Sequence, residues 1–452
     1  MPAKLICRMD NKDYISGTLR VGDLNGDGAP ELLFVRNIRS TREIACLTAV
    51  DIYGNVIWQN EVLPGGGPEC FCDLPVQIYD WDGDGRNEVL WVEQAEYLEF
   101  TAYSYNPSDK PIVMRDISES RGNNNYYVES AELYGKPAVM HVLDGAVGHE
   151  KYAFPIPLPA DDSFLFANLT GGQSRRDLIV KDRYDNIWGL NRQGEVLWKW
   201  SGSTGHYPAI ADVDGDGMDE VFTGFALTDH DGKTLWKTEV GQWIHADATY
   251  ITQLNGEFRL FFGNHGVHCM GLDGREIWKT EMDEAQHVLA GCFQPYLGPV
   301  QVAVLERGQI KKTTDVYKYD SGDIYYGQGR APSVLRLLDW DGKEIWSREQ
   351  PAGSWAAGAR VVNWIGEPNA RQILVTARGE NPAAVYDGYG NIINKLGSES
   401  MVPADTLGAA ADVYGDSRDE IVLTDGAVCE IYANTDPCPV PSLYNYTLYM
   451  GM

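Results

Sequence analysis

"HYPAIADVDGDGMDEVFTGFALTDHDGKTLW", His206 to Trp236, holds one complete period of this chain. It opens on a histidine and a short apolar run, then passes through a loop with an oxygen side chain at every second position. A second apolar run follows, and the period closes on a glycine turn and a tryptophan. The closing turn recurs: "GNVIW" ends at Trp58, "GEVLW" at Trp198, "GREIW" at Trp278 and "GKEIW" at Trp346. Glycine preceded by Asp, Gln or Tyr reads as a tight hairpin turn, and the alternating residues around it read as strands. The opening recurs too, in "RVGDLNGDGAPELLFV", "VQIYDWDGDGRNEVLWV", "FANLTGGQSRRDLIV" and "AAADVYGDSRDEIVL".

Units of roughly 40 residues with four short strands each predict an all-β propeller, because one small sheet buries its faces only against its neighbours. Unit starts fall near residues 17, 74, 126, 162, 206, 245, 287, 355 and 406, nine in all. The last is short of a strand. Eight blades of four antiparallel strands are therefore expected, with seven or nine as alternatives, closed by pairing of the N- and C-terminal segments. No linker composition divides 1–452, which reads as a single domain.

A formal charge of -28 argues against nucleic acid, whose phosphates need a basic face. The longest apolar runs fall well short of the roughly 20 residues of a membrane helix. The start, "MPAKLICRMDNKDY", shows no apolar core followed by a small-residue cleavage site, so a cytoplasmic location is expected. The one close cysteine pair, Cys70 and Cys72, is separated by a single residue, which suits neither a zinc site nor a redox pair. Reduced, mostly buried thiols are expected.

Three loops fit Asp-x-[Asp/Asn]-x-Asp-Gly-x-x-Glu: Asp23, Asn25, Asp27 and Glu31; Asp80, Asp82, Asp84 and Glu88; Asp212, Asp214, Asp216 and Glu220. Alternate oxygens wrap one hard cation, and the ninth-position carboxylate closes the shell, which suits Ca²⁺. Three structural calcium sites that staple strand-to-strand turns are expected; the alternative is a catalytic calcium. "DVYGDSRDE" (Asp412 to Glu420) puts Tyr414 where a ligand belongs and reads as empty or weak. Each loop follows the first strand of its unit. Six residues at about 3.3 Å each therefore separate Asp212 from His206 by roughly 20 Å, on opposite faces.

His206, His245 and His287 each stand three residues before an alanine near the start of a unit, so they are expected to ring the central funnel. Trp355 and Tyr126 share that register. The loop between strands two and three returns to the same face. It carries Arg36, Arg39 and Arg42 in the first unit, and Lys181, Arg183 and Tyr184, His265 and Arg378 in later ones. In the unit that starts near 287 it swells to "RGQIKKTTDVYKYDSGDIYYGQGRA", 25 residues with Lys311, Lys312, Tyr317, Tyr319, Tyr325, Tyr326 and Arg330. Long loops on a rigid scaffold commonly carry function; the plain alternative is solvated loop charge.

The stretch "HYPAIADVDGDGMDEVFTGFALTDHDGKTLWKTEVGQWIHAD" and the tail "DVYGDSRDEIVLTDGAVCEIYANTDPCPVPSLYNYTLYM" resemble the rhamnogalacturonan lyases of polysaccharide lyase family 11. The resemblance implies an eight-bladed, calcium-containing propeller that cleaves rhamnosyl-galacturonate links by β-elimination. His206, His245 and Asp247 fall where that family has polar residues over its cleft. Against the family pattern, the unit at 162 to 200 looks extra.

A carbohydrate-active lyase acting on an acidic, uronate-containing oligo- or polysaccharide is the reading that results. β-Elimination needs the uronate carboxylate neutralised, a base for the C5 proton, and an acid or metal at the leaving oxygen. Lys181, Arg183 and Arg378 suit the first task, His206, His245 or His287 the second, and Tyr207 or another histidine the third. Trp355 and the inserted tyrosines would face sugar rings, with Tyr184, His265 and Arg330 as further substrate contacts. Alternatively the three histidines hold one transition metal such as Mn, Zn or Fe, as in the oligogalacturonate lyases, a different propeller family. A non-catalytic glycan- or protein-binding propeller is the second class. A glycosidase would need paired carboxylates on the histidine face, where Asp162, Asp247 and Glu380 are the candidates.

Overall fold

The computed structural model describes residues 3–38, 43–64, 66–67, 74–93, 138–158, 160, 164–181, 186–239, 245–307, 310–311, 316–318, 324–326, 329–330, 332–350, 358–376, 383–398, 401 and 407–437. Among these residues the strands form eight four-stranded antiparallel sheets, the blades of a β-propeller. Blade 1 runs from Thr18 to Glu61, blade 2 from Val76 to Ile156, blade 3 from Phe164 to Ser201 and blade 4 from Ala209 to Lys237. Blade 5 spans Ala248 to Thr280, blade 6 Ala285 to Glu349 and blade 7 Gly358 to Leu396. Blade 8 takes three strands from Leu407 to Asn434, and its outermost strand is the N-terminal Ala3–Asp10, paired with Val428–Asn434.

The expected start near 126 lies outside the described residues, and the eight blades form without a strand from it. Blade 2 pairs Glu88–Glu93 directly with Ala138–Asp144 as its second and third strands. The unit at 162 to 200 that looked extra is blade 3. In blade 6 the insertion between second and third strands contributes two short hairpins, Ile310–Lys311 with Gly329–Arg330 and Val316–Lys318 with Ile324–Tyr326.

Burial explains the strand sequences. Second and third strands such as Asp177–Lys181 and Asn186–Leu190 are buried throughout and read as continuous apolar runs. Fourth strands such as Val56–Glu61 alternate between exposed and covered, as edge strands do. The core lies between blades. Phe222 and Leu227 of blade 4 pack on Phe262 of blade 5, and Leu90 and Val142 of blade 2 on Phe164 and Trp188 of blade 3.

Four of the five recurrent tryptophans are interblade latches; the fifth, Trp236, buries its indole N–H without a hydrogen-bond partner. The indole N–H of Trp58 donates to Gly145 O of the next blade at 2.7 Å, Trp198 to His230 O at 2.7 Å, Trp278 to Trp340 O at 3.1 Å and Trp346 to Gly388 O at 2.8 Å. Each indole lies against the turn glycine of its neighbour. A Cβ on Gly342, whose φ is 81°, would come within 2.5 Å of the Trp278 ring. The described cysteines, Cys7, Cys46, Cys269, Cys292 and Cys429, are free thiols; Cys70 and Cys72 lie outside the described residues.

Candidate active site

His206 and His245 sit on the chain leading into the first strands of blades 4 and 5. Gly205 (φ 68°) lets the backbone pass so close to blade 5 that a Cβ there would lie 2.6 Å from Ala246 O. The His206 N–H donates to that same carbonyl at 2.9 Å. The two lead-ins are thereby tied together, and the imidazoles meet edge to face with centroids 4.8 Å apart. Asp247 follows, buried, with its own N–H on Gly263 O at 2.8 Å and its Oδ1 3.2 Å from His245 Nε2.

His206, His245 and Asp247 each offer one ligand atom, and these atoms lie within 4.8 Å of one another. Burial pushes the Asp247 carboxyl up, but His245, His206 and Arg307 together hold it below its ordinary range. Arg307 was not singled out from sequence as a neighbour of Asp247. It starts the blade 6 insertion, and its guanidinium also pairs with Glu284 at 3.1 Å.

A small cleft beside this group is lined by Phe164, Leu165, Ile179, Lys181, His206, Tyr207 and Pro208. Lys181 is buried at the end of its strand, whereas Tyr207 is 42% exposed. His265 turns its Nδ1 onto the Asp283 carbonyl, which places the ring proton there. His287 does not join His206 and His245 in that group of ligand atoms. It lies inside the strand Ala285–Gly291, past a bulge between Ala285 and His287. The hydrogen bonds of the turns show the slip: Val213 N bonds Glu220 seven residues after His206, and Phe293 N bonds Gln301 seven residues after Gln286, so Gln286 is the counterpart. Alanine spacing misaligned the two units by one residue.

Arg39, Arg42, Tyr126, Asp162, Arg183, Tyr184, Lys312, Tyr319, Trp355, Arg378 and Glu380 lie outside the described residues, as do the side chains of Lys311, Tyr317, Tyr325, Tyr326 and Arg330.

The acidic loops open at the other end of the first strand; Asp212 follows Ala211 directly. In each, the first aspartate caps two glycine N–H groups, as Asp212 does for Gly215 and Gly217 at 2.6 and 3.0 Å. The closing side chain bonds back to the backbone leaving the strand: Glu31 Oε2 accepts Leu24 N–H, Glu88 Oε2 Trp81 N–H and Glu220 Oε2 Val213 N–H, at 2.7 to 2.8 Å. Asp177, Gln301, Gln372 and Glu420 do the same in blades 3, 6, 7 and 8. Backbone capping, which an amide performs as well as a carboxylate, is thus common to seven blades.

The second oxygen distinguishes the three full loops. Glu220 is completely buried, and its Oε1 has no hydrogen-bond partner. Burial, with crowding by Asp214, Asp229 and Asp212, pushes its pKa up to about 7. Asp212, Asp214 and Glu220 form one group of clustered ligand atoms, Asp216, Glu220 and His230 a second, and Asp80, Asp82 and Glu88 of blade 2 a third.

A model of the rhamnogalacturonan lyase family 11 C-terminal domain matches residues 179–441, more than half of the chain. The chain belongs to this family. Rhamnogalacturonan endolyase YesW of Bacillus subtilis (strain 168) is 23% identical over 483 aligned positions, covering 94% of this chain and 68% of YesW. Rhamnogalacturonan exolyase YesX of the same organism is likewise 23% identical, covering 93% and 71%. The crystal structure of YesX superposes with a TM-score of 0.60 at 18% identity over 96% of this chain and 73% of that one. The V. cholerae biofilm matrix protein Bap1 superposes with the same TM-score at 12% identity, over 96% of this chain and 91% of that one. Fold likeness at that level fixes the propeller; membership of the rhamnogalacturonan lyase family rests on the sequence match.

Proposed function

We propose that this member of the rhamnogalacturonan lyase family cleaves a uronate-containing, rhamnogalacturonan-like saccharide by β-elimination on the face that carries His206, His245 and Asp247. The grouping of those three ligand atoms beside a buried lysine is the observation that carries the reading. Two imidazoles and a carboxylate suit a divalent cation such as Mn²⁺, Zn²⁺ or Fe²⁺. Bound there, such an ion supplies positive charge that neutralises the uronate carboxylate and acidifies the C5 proton. Lys181 adds a second positive charge in the adjacent cleft, and Tyr207 presents a phenol to the leaving oxygen. Asp247 favours this arrangement over a free acid–base pair of histidines, because one bond to His245 fills only part of its acceptor capacity. His287 has no part in it.

Calcium is proposed for the far face. Asp212, Asp214, Asp216 and Glu220 fit it, since a buried carboxylate oxygen without a partner is costly unless a cation meets it. In blade 1 the same pattern, Asp23, Asn25, Asp27 and Glu31, is proposed to hold a second ion on its sequence motif; there Glu31 Oε1 meets the Asn25 amide instead of standing without a partner. Stripping the protein with a chelator and following new absorbance in the unsaturated-uronate band tests both assignments. Activity should vanish while far-UV circular dichroism persists, and Mn²⁺, Zn²⁺ or Fe²⁺ alone should restore it. Full activity in the stripped, folded protein would contradict the metal assignment.

A further inference from the structure

Blades 1, 2 and 4 share one acidic motif, yet they treat the same atom in three ways. In blade 4, Glu220 Oε1 has no partner. In blade 1, Glu31 Oε1 accepts the Asn25 side-chain amide at 2.5 Å. In blade 2, Glu88 Oε1 takes the ammonium of Lys151 at 2.8 Å, and the same Nζ lies 2.5 Å from Asp82 Oδ2. Glu88 Oε2 meanwhile keeps its capping bonds to Trp81 and Asp82 N–H.

The fold explains how the lysine gets there. Turns between third and fourth strands lie on the same face as the acidic loops. In blade 4 that turn closes with Asp229 N–H on Lys233 O, and in blade 2 with Asp144 N–H on His149 O. Two residues on stand Leu235 in blade 4 and Lys151 in blade 2. In blade 1, where Asp51 N–H bonds Asn55 O, the position is Ile57. Blade 2 therefore reads "GHEKY" (Gly148–Tyr152) where blade 4 reads "GKTLW": a lysine replaces the apolar residue before the aromatic.

A second cation stands close by. The Arg176 guanidinium packs so tightly on Gly83 that a Cβ there would collide with Nη2. In blade 8, whose loop lacks a full ligand set, Arg418 likewise sits on Asp416, with Nε at 3.0 Å from Oδ2.

We infer that in blade 2 the Lys151 ammonium takes the place of the cation that Asp80, Asp82, Asp84 and Glu88 would otherwise hold, so that this loop closes without a metal. A divalent ion needs Asp82 and Glu88 oxygens at about 2.3 to 2.6 Å, and the ammonium already bridges them. Motif-matching thus overcounts the calcium sites of this chain by one.

The inference concerns blade 2 and is separable from the calcium assigned to blade 4. Calorimetric titration of the chelator-stripped protein with Ca²⁺ tests it. Lys151→Leu, which installs the blade 4 residue, should bind one more Ca²⁺ per chain than wild type, and Lys151→Leu with Glu88→Gln should return to the wild-type count. In the wild-type background Glu88→Gln should leave the count unchanged, while Glu220→Gln lowers it by one. Loss of an ion in Glu88→Gln alone, or no gain in a folded Lys151→Leu, would overturn the inference. Should Lys151→Leu fail to fold, the Glu88→Gln count alone decides. An unaltered count in Glu220→Gln would remove the blade 4 ion and leave the blade 2 comparison standing.

Discussion

Glu420 isolates what the closing carboxylate costs a blade with no full ligand set. Its Oε2 accepts Val413 and Tyr414 N–H at 2.9 and 3.1 Å, and burial pushes its pKa up to about 8, with Asp416 and Asp412 adding to the rise. A folded-state value above the roughly 4.3 of the unfolded chain means that the folded protein holds this proton longer. Its stability is then full below about pH 4 and falls as pH rises toward 8. Glu420→Gln keeps the acceptor, as Gln301 and Gln372 do in their blades, and removes the ionisation. Thermal melts should show the variant more stable than wild type at pH 8, by on the order of a few kcal/mol, with the gap closing toward pH 5. A gap independent of pH would contradict the account. Spacing along the chain made the carboxylate pattern legible, because all its members lie within nine residues. Lys151 and Arg307 escaped notice because their partners are 63 and 60 residues away, Glu88 by hydrogen bond and Asp247 by charge.

At the scale of the element, the glycine-turn tryptophan was legible as a hairpin signal, and its partner was not. Turn and indole are neighbours in sequence, whereas the acceptor carbonyl belongs to the next blade. Trp278→Phe keeps most of the ring and removes the donor to Trp340 O, so a loss of about 1 kcal/mol is expected. Gly342→Ala on the facing turn should cost more, since it adds both a positive-φ penalty and a clash with that ring. Chemical denaturation of the two variants checks the order; a Gly342→Ala protein as stable as wild type would remove the latch. Two misreadings also belong here. Counting units presumes short connections, whereas in blade 2 the paired second and third strands, Glu88–Glu93 and Ala138–Asp144, are separated by 44 residues in sequence, enough for the pattern near 126 to read as a further unit start. Aligning on alanines presumes that each unit keeps the same spacing from strand to turn, and counted from the turns it is Gln286, not His287, that matches His206.

Across the whole molecule, closure of the ring decides which faces exist. The N-terminal strand Ala3–Asp10 completes blade 8, and Arg8 pins it there through Glu430 at 2.6 Å. With the ring closed, every first strand points its turn to one face, acidic in blades 1, 2, 4 and 8, and its lead-in to the other. A chain of net charge -28 thereby keeps the carboxylates of its acidic loops away from the face where an anionic saccharide would dock, while Lys181 lines the cleft with His206 and Arg307 acts by charge on Asp247. That separation was readable from the position of the loops along each unit; the approach of blades 4 and 5 that makes one site of His206, His245 and Asp247 was not, because it depends on Gly205 and a single backbone bond between blades. The central claim is that uronate elimination takes place at this trio. Its most direct measurement is the rate of unsaturated-uronate formation from rhamnogalacturonan oligosaccharides by metal-replete wild type and Asp247→Asn, a near-isosteric change. Loss of at least about a hundredfold in a folded variant, on the scale of a lost charge-stabilising group, is the predicted result, and wild-type turnover by Asp247→Asn would contradict it.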